Sequence, residues 1–177
     1  MERWPAMSHA TAWHRLARFA PAPSAVRGRL SQRLGEALEE VGVQKFDARG
    51  CANVLYAWGQ LRYREASLPM FCSHTTSMLA KCKEQELANI IYALGLLRYP
   101  EAPLLPEACE QAFTRAADLS PQDTWLIIYS LALLKHRDKR LISALAATMM
   151  TKLSEFKPQG IAGVVYSLGL LRLTPRR

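Results

Sequence analysis

The chain has 177 residues, half of them hydrophobic, which suffices for one domain with an ordinary core. No apolar run approaches the eighteen or so residues of a membrane span, so no segment is a candidate membrane helix. The formal net charge of +8 is uneven: residues 1–35 carry six arginines against Glu2 alone, and the remainder is only mildly basic, so any anion binding must come from how charges are placed.

In chain order, "MSHATAWHRLARFA" (Met7–Ala20) is acid-free and arginine-bearing, and it predicts a short amphipathic helix that Pro21 and Pro23 end. That composition is the mark of a mitochondrial or plastid transit peptide. Residues 1–25 are therefore expected to be an organelle-targeting segment that folding does not need. Leu30, Leu34, Leu38 and Val41 then recur at helical spacing. Residues 26–45 are expected to form the second helix of a partial first repeat.

From residue 46 the chain repeats itself. "NVLYAWGQLRY" (Asn53–Tyr63), "NIIYALGLLRY" (Asn89–Tyr99), "LIIYSLALLKH" (Leu126–His136) and "GVVYSLGLLRL" (Gly163–Leu173) share one pattern. Their pivot tyrosines Tyr56, Tyr92, Tyr129 and Tyr166 lie 36, 37 and 37 residues apart. A fixed period of this size is the signature of a stacked repeat array. The fold class is therefore all-α, an α-solenoid of two-helix repeats of 36–37 residues. Residues 46–177 hold about three full repeats and the first helix of a fourth.

The first helix of each repeat carries the motif. Asp47, the "SPQD" at Ser120–Asp123 and Pro158 supply start signals. Stepping 100° per residue from the tyrosine gathers Leu87, Ile90, Ile91, Leu94 and Leu97 on one arc, the predicted core. Small residues stand four before and three after the tyrosine, such as Ala52 and Gly59, or Ala88 and Gly95. A helical glycine costs roughly 1 kcal/mol relative to alanine, so close approach by a neighbouring helix is expected there. Leu68, Leu104 and Leu141, each twelve residues after its tyrosine, mark the second helix.

The opposite arc is mixed. It reads Arg49, Asn53, Tyr56, Gln60; Gln85, Asn89, Tyr92, Leu96; Gln122, Leu126, Tyr129, Leu133; and Gln159, Gly163, Tyr166, Leu170. A basic residue follows six after each tyrosine: Arg62, Arg98, Lys135 and Arg172. Two roles fit these cations at a frayed helix end. One offsets the helix dipole, by about 0.3–1 kcal/mol. The other makes a ladder of charge along a phosphate backbone. The tyrosines fit packing between units better than base stacking. Arg49, Asn53, Gln85, Asn89, Gln122 and Gln159 are the base-reading candidates, since amide and guanidinium groups donate to unstacked base edges.

Catalysis finds no support. The histidines His9, His14, His74 and His136 form no recurring grouping, and no phosphate loop or nucleophile motif is present. Cys51, Cys72, Cys82 and Cys109 form no C-x-x-C pair, so no metal site or disulfide framework is expected, and a reducing compartment fits. Cys82 occupies the apolar position of Phe46, Leu119 and Phe156.

"LANIIYALGLLRYP" (Leu87–Pro100) and "FKPQGIAGVVYSLGLL" (Phe156–Leu171) resemble the octotricopeptide and heptatricopeptide repeats of organellar RNA-binding proteins, with related repeats in FAST-kinase-like proteins. The resemblance covers roughly residues 46–175. Tetratricopeptide repeats fit worse, with a period of about 34 and a different aromatic pattern. The resemblance implies a non-enzymatic α-solenoid without cofactors, acting in the mitochondrial matrix or plastid stroma. Its implied partner is single-stranded RNA or rRNA, with other proteins of a ribonucleoprotein complex, and neither a membrane nor a small-molecule substrate. Transcript stability, processing, translation or ribosome assembly are the implied processes. No RAP-type domain follows the repeats in this sequence, and the motif array stops at "LTPRR". The alternative is a protein–protein scaffold that uses the same groove.

The targeting expectation has a direct check. A fluorescent reporter fused to residues 1–35 is expected to enter mitochondria or plastids; a reporter left in the cytosol contradicts it.

Overall fold

The computed structural model describes residues 5–19, 24–64 and 66–171. Among them are nine α-helices and no strand: α1 (Ala6–Arg18), α2 (Ser24–Val41), α3 (Ala48–Leu61), α4 (Leu68–Met78), α5 (Glu84–Leu97), α6 (Leu105–Thr114), α7 (Pro121–Leu133), α8 (Lys139–Thr151) and α9 (Pro158–Leu170). None is long and apolar enough to cross a membrane.

The helix starts follow the local chemistry. Asp47 Oδ1 accepts from the Gly50 N–H at 2.7 Å, and Ser120 Oγ accepts from the Asp123 N–H at 3.2 Å. Pro121 and Pro158 are the first residues of α7 and α9, where the missing proline N–H costs nothing. Where no Ser or Asp is available, at Lys83, Glu86 Oε2 reaches back to the Lys83 N–H at 2.9 Å.

The odd helices pack in sequence, α1 on α3, α3 on α5, α5 on α7 and α7 on α9. Each of α2, α4, α6 and α8 packs on the odd helix before it, and α6 also meets α8. The predicted core arc is correct in phase: Leu87, Ile90, Ile91 and Leu94 are fully buried and Leu97 nearly so. Leu68, Leu104 and Leu141 join the same core.

The glycines are explained by contact. A Cβ on Gly59 would stand 2.8 Å from the Ala93 Cα, and one on Gly95 3.0 Å from the Ser130 Cα. The helix backbones meet at these points. Gly169, at the same motif position in α9, has no neighbour within 4 Å among the described residues.

Helix α1 departs from expectation. It is packed as the first member of the row, with Trp13 fully buried against Trp58 (ring centroids 5.9 Å) and Tyr63 (5.3 Å). The His9 Nε2 donates to the Leu34 carbonyl at 2.8 Å and ties α1 to α2. Burial holds the His9 pKa below its ordinary value, so the imidazole is neutral at pH 7. Residues 6–18 thus contribute Ala10, Trp13 and Leu16 to the core. The segment's amphipathic pattern was legible, but an amphipathic helix fits a leader and a packed helix equally well.

The glycine contacts predict opposite signs for one substitution. Gly95→Ala should destabilise by about 1–3 kcal/mol through overpacking. Gly169→Ala meets open space and should gain up to about 1 kcal/mol of helix propensity. Chemical denaturation of both variants checks this; equal effects would contradict the packing.

Candidate nucleic-acid interface

The face opposite the core is built on the tyrosines. Tyr56 and Tyr92 have ring centroids 6.2 Å apart, and Tyr92 and Tyr129 6.3 Å, all three half-buried. The row continues to His14 on α1, 5.9 Å from Tyr56, and to Trp125 on α7, 5.9 Å from Tyr129. The rings pack between neighbouring helices while one side of the row stays open. Burial, then the charge that a neighbouring Tyr56 would carry, push the Tyr92 phenol up, so it stays protonated. Tyr166, by contrast, is largely exposed.

The cations lie just past the C-terminal ends of the helices. Arg62 (φ 51°), Arg98 (φ 50°) and Lys135 (φ 54°) are the non-glycine residues of positive φ among the described residues. Their ends are ordered, not frayed. The Arg62 N–H donates to the Gly59 carbonyl and the Tyr63 N–H to the Trp58 carbonyl. Arg98 with Tyr99, and Lys135 with His136, repeat that pair of bonds. This is the Schellman arrangement, whose left-handed position is usually glycine. An L-residue there costs about 1 kcal/mol or more. All three side chains are exposed, and none pairs with another described residue. Arg172 lies outside the described residues.

The base-reading candidates occupy the other end. Arg49, Gln85, Gln122 and Gln159 sit in the first turns of α3, α5, α7 and α9 and are exposed. Asn53 and Asn89 lie one turn further in, half-buried beside the tyrosines. At 1.5 Å rise per residue, the thirteen residues from Arg49 to Arg62 span about 20 Å. The structure thus places the two sets at opposite ends of the same helices. Asn53 and Asn89 lie between, nine residues from Arg62 and Arg98, or about 14 Å.

Other cations have structural tasks that the periodicity did not single out. Arg64 donates to the carbonyls of Leu97 (2.7 Å) and Arg98 (2.9 Å), closing the end of α5 from the preceding repeat. Arg115 donates to the Cys82 and Leu79 carbonyls, at 2.6 and 3.2 Å. Lys152, 37 residues later, donates to those of Ala117 and Leu119, at 2.7 and 2.9 Å. That equal spacing was the available signal. At the α1 end, Arg15, Arg18 and Arg49 surround His14 closely enough to add to burial in lowering its pKa.

The thiols are inert. Burial pushes Cys51, Cys72 and Cys109 up to about 12 and Cys82 to about 11, and all four are buried and free. Among the described residues no group of three His, Cys, Asp or Glu side chains is placed to hold a metal ion.

Comparison with known proteins identifies no family: no family model and no curated protein matches the chain.

The cap geometry makes a stability prediction. Arg98→Gly relieves the left-handed backbone but loosens the unfolded chain and removes a dipole-offsetting charge. These effects nearly cancel, so unfolding free energy should stay within about 1 kcal/mol of wild type. A loss well above that would make the side chain structural.

Proposed function

We propose that the protein is a non-catalytic α-solenoid that binds single-stranded RNA along its tyrosine face, as its resemblance to octotricopeptide-type repeats implies. The observation that carries this reading is the set of cap cations. Arg62, Arg98 and Lys135 hold a backbone conformation that glycine adopts more cheaply, and their side chains reach no described partner. A cation at the same cap in three successive copies, exposed and bonded to no other described residue, leaves its charge available to a ligand. Phosphates at the helix spacing of the array are the matching ligand.

The two edges do not grip one nucleotide, because about 20 Å separates them. Phosphates at the cation edge direct their bases toward the tyrosines and toward Asn53 and Asn89. Gln85 lies beyond that line, and Gln122 and Gln159 meet the strand only where it crosses from the cation edge to the first turns of α7 and α9. Organellar action, with a targeting role for the N-terminal residues, belongs to the same proposal. Helix α1 then serves both import and folding. A protein-binding scaffold is favoured by one observation, the apolar face that α9 exposes at Val165, Tyr166 and Leu170.

The test is RNA affinity across a sequence pool at two salt concentrations. Replacing Arg62, Arg98 or Lys135 with alanine should weaken binding to all sequences alike and reduce the salt slope by about one unit. Asn53→Ala and Asn89→Ala should alter sequence preference more than salt dependence. Binding that none of these changes would transfer the face to a protein partner.

A further inference from the structure

At one position helix α7 alone departs from the motif. Four residues before the tyrosine the copies read Ala52, Ala88 and Ala162, but α7 carries Trp125. Helix α9 answers the change. Where α3 and α5 have Asn53 and Asn89, it has Gly163, and a Cβ there would stand 3.6 Å from Trp125 Cε3. A Cβ on Gly160 would stand 3.7 Å from Trp125 Cδ1. The indole lies across these two glycines, half-buried, and a side chain larger than alanine at either would enter its space.

Beside it is a cavity of about 460 Å³ between the first turns of α7 and α9, lined by Ser120, Gln122, Trp125, Phe156, Lys157 and Gln159 among others. Its size falls in the range of small-ligand sites. Trp125 supplies an aromatic wall continuous with the tyrosine row, 5.9 Å from Tyr129. Gln122 and Gln159 bring two amides from successive repeats, both exposed and neither bonded to another described residue. Lys157 places a cation on the rim, while Glu155 on the same rim would repel a phosphate from its own side.

We propose that this cavity receives one nucleobase of a bound single-stranded RNA, stacked on Trp125, with Gln122 and Gln159 reading its edge. The proposal rests on the RNA-binding reading and goes beyond it in assigning one pocket and one stacking residue. An aromatic wall takes any base, because every base has a π-face. The amides add discrimination, since each offers a donor and an acceptor in one plane, as a base edge does. A proline-rich peptide could also stack on the indole. Its proline residues lack the N–H donors that a base edge offers to the two amides, and the observations therefore favour the base.

The experiment measures labelled oligo(A), oligo(U) and oligo(C) binding to the full chain by fluorescence anisotropy, with an abasic nucleotide moved through the best oligomer. Trp125→Leu should weaken binding roughly tenfold or more. An abasic nucleotide at one position should cost wild type about as much and cost Trp125→Leu nothing further. Gln122→Ala with Gln159→Ala should change the ranking of the oligomers, and this pair remains informative if Trp125→Leu proves unstable by circular dichroism. Salt-dependent RNA binding that Trp125→Leu, the glutamine pair and the abasic scan all leave unchanged would overturn the pocket and leave the RNA reading standing. Absence of salt-dependent binding by wild type would overturn both. A labelled proline-rich peptide that binds wild type but not Trp125→Leu would assign the cavity to a peptide instead.

Discussion

The close approach of helix backbones at Gly59 and Gly95 sets the spacing of α3, α5 and α7, on which the tyrosine face is built. A glycine in mid-helix gives up local stability, and here the space it leaves is filled by the Cα of Ala93 or Ser130 on the next helix. Contact at that range brings the tyrosine rings to 6.2 and 6.3 Å from one another. A larger residue at the glycine would push the helices apart and open the ring row. It would also change the spacing of the cap cations. The third copy keeps Ala132 at this position, and it too is buried, so the requirement is for a small side chain rather than for glycine's backbone freedom.

The same spacing divides the cations into two kinds. Arg64, Arg115 and Lys152 donate to backbone carbonyls at or just past helix ends. They tie each repeat to itself and to its neighbour, and their charge is committed. Arg62, Arg98 and Lys135 stand exposed at a left-handed cap, and their side chains bond to no other described residue. Sequence alone does not separate the two kinds, because all six lie near helix ends. Only the direction of the cap does.

Much of the fold was legible in the sequence. The period, the core arc and the caps at Asp47 and Ser120 follow from local pattern. So does the meaning of the small residues, which the glycine contacts bear out. Helix α1 was not legible as a member of the row. Its His14 stands in the tyrosine row but precedes Tyr56 by 42 residues, outside the 36–37 period. The reason is length: α2 has 18 residues, whereas α4, α6 and α8 have 11, 10 and 13. A longer second helix shifts the register without changing the packing, and a search for a fixed period passes over it.

What the sequence determined by itself is everything carried by spacing along one helix. It set which residues are buried, where helices begin, and which residues share the open face, because a helix converts sequence separation into direction. Distances across that face, and contacts between helices, belong to the tertiary structure. It put the amide set and the cation set at opposite edges, about 20 Å apart. It turned the supposed frayed ends into ordered left-handed caps. It also laid Trp125 over Gly160 and Gly163, residues 35 and 38 positions later in the chain. Those facts depend on which helix lies beside which, and no local pattern encodes that.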